Sequence, residues 1–125
     1  MGLDMYLMKR TKGEKESSEQ VAYWRKANQV REWMVRNTGY SEKNNLEMHL
    51  LTREQLVKLL NDSKKVIESP ELAETVMPTK DGYFFGSTEY DEEYLEELKN
   101  TVSMVTDVLT RTNFKEEEIC YLEWW

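Results

Sequence analysis

Leu3, Met5 and Leu7 alternate with Asp4, Tyr6 and Met8, the period-two pattern of a strand whose second face is partly polar. Residues 9–19 hold no apolar side chain and read as a mobile surface loop. From about Ser18 to Asn37 the apolar positions recur at helical spacing. Tyr23, Ala27, Val30 and Met34 fall on one stripe, with Val21, Trp24 and Val35 beside it. Asn28 and Arg31 lie inside this apolar arc, whereas Trp33 lies on the polar side or at its border and is expected to be exposed. Thr38-Gly39 supplies the stop, since glycine just past the last turn adopts the left-handed cap.

Alternation returns in Leu46–Leu51, which predicts a second strand. Thr52 followed by Gln55 matches a capping box. Behind it Leu56, Leu59, Leu60, Val66 and Ile67 make one face of a helix over 53–68, ended by Ser69-Pro70. Glu71–Met77 has room for a helical turn or two, Asp81-Gly82 marks a turn, and Tyr83-Phe84-Phe85 reads as a short aromatic strand. Gly86-Ser87-Thr88 then leads into a helix over about Glu89–Arg111, with Thr88 or Ser87 as N-cap. Its apolar face runs from Tyr90, Tyr94 and Leu98 to Val105 and Val108, and Glu92, Glu93 and Glu96 stand on the opposite side. Ile119–Trp125 is dense in β formers and predicts a last strand. The order β-α-β-α-β-α-β implies a single α+β domain over residues 1–125, a small mostly antiparallel sheet packed with about three helices. Lying beside the first strand, the last one would pin both termini.

Composition narrows the functions open to such a domain. The 125 residues carry a net charge of −7, so duplex DNA is an improbable partner: no cation surplus exists to exchange for counterions. A single cysteine, Cys120, excludes an internal disulfide and suits a reducing compartment. No apolar run approaches the length of a membrane span, and the first residues lack the pattern of a signal peptide. The expected location is therefore cytoplasmic, with no membrane partner.

Phosphate-binding loops, paired-cysteine metal sites and zinc-hydrolase motifs are absent from the sequence. With one His49 and one Cys120, neither a metal cluster nor a catalytic triad can be assembled, so no catalytic residue, metal or cofactor is expected. Arg31 and Asn28 are more informative, because a guanidinium among apolar neighbours must be answered. One answer is structural, a carboxylate from the sheet, with Asp4 as the candidate. The other is a ligand pocket lined by Asp4, Tyr6, Trp24, Asn28, Arg31, Tyr83, Phe85, Gly86, Ser87 and Thr88, with Trp24 as a stacking wall. A phosphate there would meet Glu89, Asp91, Glu92 and Glu93, so a neutral or cationic group fits the 83–88 turn better. The acidic face of the last helix is a solvated surface or a dock for a basic partner.

Gly2–Leu7, Ala22–Val30 and Gly82–Asp91 together resemble a family of small uncharacterised proteins encoded by bacteriophages and prophages. The resemblance implies a bacterial host cytoplasm and supplies no mechanism. The leading expectation is a non-enzymatic accessory protein that binds a host or phage protein through Trp33, Glu92, Glu93, Glu96, Trp124 and Trp125. Small-ligand binding or sequestration, of a nucleotide-like or other metabolite, is the alternative, and a homodimer is also open.

Overall fold

The structure, a computed structural model, describes residues 2–14, 16–41, 47–82 and 85–125. Four strands form one antiparallel sheet: β1 (Asp4–Thr11), β2 (Glu19–Arg25), β3 (His49–Leu51) and β4 (Glu117–Trp124), in the order β2-β1-β4-β3. The helices are α1 (Asn28–Thr38), α2 (Arg53–Glu68), α3 (Ala73–Val76, preceded by a 3₁₀ turn at Pro70–Leu72) and α4 (Glu92–Arg111). The class is α+β, with β1 and β2 consecutive rather than separated by a helix. The last strand does lie beside the first, pairing from Asp4↔Trp124 to Thr11↔Glu117.

Where a helix was expected from Ser18, the chain instead makes β2 and then α1. Val21, Tyr23 and Trp24 are β-branched or aromatic, and against β1 they alternate: Ala22 and Trp24 turn inward, Tyr23 and Arg25 outward. Tyr23 and Ala27 are four apart, so a strand followed by a helix imitates one helical stripe. The break falls at Lys26, the one described non-glycine residue with positive φ (56°), and the helix starts only at Asn28. With that new phase Trp33 turns into the core at 1% exposure, where its indole donates to Asp62 Oδ2 at 2.8 Å.

The expected loop over 9–19 is also shorter, because β1 runs on to Thr11. Its polar residues are used. Lys9 Nζ donates to the Arg111 carbonyl at the end of α4 (3.0 Å), and Arg10 pairs with Glu118 of β4 at 3.0 Å. Lys15, Leu46 and the Tyr83-Phe84 part of the expected aromatic strand lie outside the described residues; Phe85 itself is in a bend, not a strand.

Other signals act as they read. Thr52 and Gln55 close a reciprocal capping box on α2, and Gly39 ends α1 at φ 77°. The cap of α4 is Asp91 rather than Thr88 or Ser87: its carboxylate accepts from Tyr94 N at 3.1 Å. Tyr90 therefore stays outside the helix, and its hydroxyl accepts from Thr79 N.

The four helices of the described residues are on one side of the sheet. Met5, Leu7, Ala22, Trp24, Leu51, Ile119 and Tyr121 meet Val30, Met34, Leu56, Leu59, Leu98, Val105 and Val108 there. Trp24 Nε1 donates to Thr101 Oγ1 of α4 at 2.9 Å, which ties β2 to the longest helix. Thr101→Val keeps the shape but leaves that indole N–H without an acceptor. Urea unfolding should show a loss of about 1–3 kcal/mol; an unchanged midpoint would contradict the pairing.

Candidate functional site

Arg31 is 2% exposed and is answered by Glu123, not by Asp4. Its Nε donates to both carboxylate oxygens of Glu123 at 3.1 Å. Glu123 is fully buried and also accepts from the Tyr121 hydroxyl (2.7 Å) and from Trp125 Nε1 (2.6 Å). The guanidinium lies over the Phe85 ring at 4.7 Å and the Trp125 ring at 5.7 Å, and those rings meet edge-on at 5.4 Å. Burial, reinforced by Glu123, holds the Tyr121 phenol well above its usual range, so it stays a hydrogen-bond donor. One carboxylate thus joins α1, β4, the chain end and the Phe85 bend. The missed signal was parity: Glu123 falls in register with the inward residues Ile119 and Tyr121.

Asn28, 1% exposed, spends its whole amide on the chain. Nδ2 donates to the carbonyls of Phe85 (2.9 Å) and Ser87 (2.8 Å), and Oδ1 accepts from Lys80 N at 3.0 Å. It clamps Lys80 and the stretch Phe85–Ser87 onto the start of α1. Around these positions Ser87 Oγ accepts from Glu89 N, and the Thr88 carbonyl accepts from Thr79 Oγ1. Gly86 sits at φ 84°, where an added Cβ would come within 3.0 Å of Lys26 Cβ.

The ligand pocket expected from these residues is therefore not assembled. Trp24 and Arg31 are core residues, Asn28 is saturated, and Tyr83 is outside the described residues. Asp4 and Tyr6 project from the other side of the sheet, since they alternate with the inward Met5 and Leu7.

Among the described residues that other side carries no helix, and its cross-strand rows run unbroken except at the bulge between Leu7 and Met8 on the β2 edge. Arg25, Asp4 and Trp124 form one row; Tyr23, Tyr6 and Leu122 the next; Met8, Cys120 and Leu50 the third. Trp124 is 62% exposed, Leu50 52% and Tyr23 39%. The rings of Tyr6 and Tyr23 stand 5.3 Å apart. Ion pairs close both ends of this apolar strip, Arg25–Asp4 and Arg10–Glu118, each at 3.0 Å. Tyr23 also donates to Asp4, which raises its phenol pKa. Cys120 is fully buried beneath the strip, and burial pushes its thiol pKa up.

The residues expected to make one partner surface belong to different places. Glu92, Glu93 and Glu96 are exposed on α4, on the helix-covered side of the sheet. Trp124 is on the open side, Trp33 is in the core, and half-buried Trp125 covers Arg31. Among the described residues no group of three His, Cys, Asp or Glu side chains could hold a metal ion, and no helix is long and apolar enough to cross a membrane. Neither a protein-family model, nor a curated protein, nor a solved structure matches the chain.

Proposed function

We propose that this is a non-enzymatic binding protein whose partner, another protein, docks on the helix-free face of the sheet. The observation that carries the reading is the apolar strip of Tyr6, Tyr23, Leu50, Leu122 and Trp124, fenced by two ion pairs. Exposed aromatic and aliphatic side chains in a contiguous patch with a charged rim are the usual anatomy of an interface. The strip is four strands wide and, from strand spacing and rise, roughly 400 Å² in plan. A standard protein–protein interface takes about 800 Å² from each side, so any partner must also reach the charged rim. Two chains of charge −7 also repel, so a basic partner presenting one apolar element fits better than a second copy. The resemblance to phage-encoded proteins points to a host or phage protein in a bacterial cytoplasm.

Reactive groups give no competing support. His49 Nε2 is bonded to the Thr38 carbonyl at 2.8 Å and its ring meets Tyr40 edge-on, while the Cys120 thiol is covered. The triple variant Tyr23→Ser, Leu50→Ser and Trp124→Ser tests the reading. The Leu50 and Trp124 changes are on the surface and should each alter stability by only about 0.5 kcal/mol, whereas Tyr23→Ser also loses the bond to Asp4 and the ring contact with Tyr6, about 1 kcal/mol more. A protein recovered on the immobilised wild type should be lost on the variant, and sedimentation of the free chain should show a monomer. Retention of that protein by the variant would refute the docking face.

A further inference from the structure

The apolar strip supplies only part of the area a standard interface takes, and what continues it is the free edge of β2, next to Tyr23. In the order β2-β1-β4-β3 the outer strands are β2 and β3. β3 offers three residues, and shortness is itself a guard against pairing. β2 offers seven, Glu19–Arg25, with no proline and no lysine among them. Its one guard is a slip of register between Leu7 and Met8, where Val21 is skipped. Regular pairing is therefore open over Ala22–Arg25.

The ladder with β1 sets the direction of the backbone groups along this run. Lys26 N donates to the Leu3 carbonyl at 2.7 Å, so the residues in step with Lys26, Trp24 and Ala22, turn their N–H and C=O toward β1. Tyr23 and Arg25 are out of step and turn theirs away from it. No hydrogen bond from a described residue meets those groups. Both side chains stand on the helix-free face, so residues placed opposite them by a new strand extend the strip of Tyr6, Leu122 and Trp124. The alternate residues of that strand point to the helix-covered side, where Glu93 and Glu97 of α4 border the Arg25 end of β2. With a net charge of −7 on the whole chain, this side favours lysine or arginine in the inward positions.

We infer that the partner adds an extended segment antiparallel to β2 along Ala22–Arg25, with apolar side chains over the open face and basic ones toward α4. An extended backbone offers a donor and an acceptor at every second residue, the spacing of Tyr23 and Arg25, whereas a helix has bonded its own groups internally. Antiparallel addition continues the direction of every pair in this sheet. The inference rests on the open-face reading above and adds to it the element by which the partner is held.

The test titrates an acetylated hexapeptide amide of alternating arginine and valine into the isotope-labelled full chain at neutral pH. In an antiparallel pair the valines stand opposite Tyr23 and Arg25 and turn their N–H groups to β2, while the arginines turn theirs to solvent. The Tyr23 and Arg25 backbone amides should move saturably and exchange with solvent roughly tenfold more slowly. N-methylation of the valines should weaken binding roughly tenfold or more, and N-methylation of the arginines should leave it unchanged. A peptide of glutamate and valine should bind more weakly than the arginine peptide. Leu50→Ser, on the far edge of the sheet, should not alter peptide binding, so failure of the edge and failure of the open face are read separately. Absence of a saturable shift at about 10 mM peptide, an equal or reversed effect of the two methylations, or equal binding of the glutamate peptide would overturn the inference. Protection of the same amides by dimerisation of the free chain would assign the edge to a second copy and overturn it too.

Discussion

Glu123→Ala is expected to cost about 3–5 kcal/mol, because it removes the fully buried carboxylate to which the Arg31 guanidinium, at 2% exposure, donates. Domains of this size have about 5–15 kcal/mol in total, so the variant should be partly unfolded at physiological temperature. The loss is more than electrostatic. Tyr121 and Trp125 both donate to the same carboxylate, and both donors are orphaned with it. Replacing the pair together, Arg31→Leu with Glu123→Leu, removes both charges and should recover much of the loss. Urea unfolding of the three chains provides the check. A cost below about 1 kcal/mol for Glu123→Ala would mean the pair is solvated, as surface ion pairs are, and would contradict the geometry. A double variant less stable than the single one would show that the guanidinium contributes chiefly by its stacking on Phe85 and Trp125.

Asn28→Ala is expected to cost about 2–4 kcal/mol, since three backbone groups lose a buried partner at once. Its mark should be local as well as global. Lys80 and the stretch Phe85–Ser87 are held to α1 by this amide, and without it should open at a free energy below that of global unfolding. Limited proteolysis under native conditions should then cut the variant there well before the wild type. Asn28→Asp should behave alike, because a carboxylate cannot donate to the Phe85 and Ser87 carbonyls. Equal protease resistance of all three chains would show that other contacts hold that stretch.

How much the sequence discloses depends on how local each determinant is. The capping box of α2 and the Gly39 stop are set by residues within four positions of each other, and both form as read. β2 was hidden because Tyr23 and Ala27 keep helical spacing across a strand and a helix, and only pairing with β1 exposes the alternation. That one boundary also misplaced Trp33, whose burial follows from a helix starting at Asn28. Arg31 stands out in the sequence as a guanidinium that must be answered, with Asn28 beside it in the same apolar arc. Their partners, 92 and 57 positions away, could not be chosen until the topology was known. The open sheet face is a property of strand order. Tyr6, Tyr23, Leu50, Leu122 and Trp124 come from four separate segments, and none is conspicuous alone.

The docking proposal is tested most directly by placing a photo-crosslinking side chain at position 50, on the open sheet face, or at position 96, on the acidic face of α4, and irradiating living bacteria that make either chain. The account predicts one defined adduct with another protein from position 50 and none of that species from position 96. An adduct from position 96 alone, or one from position 50 with the mass of two copies of this chain, would contradict it.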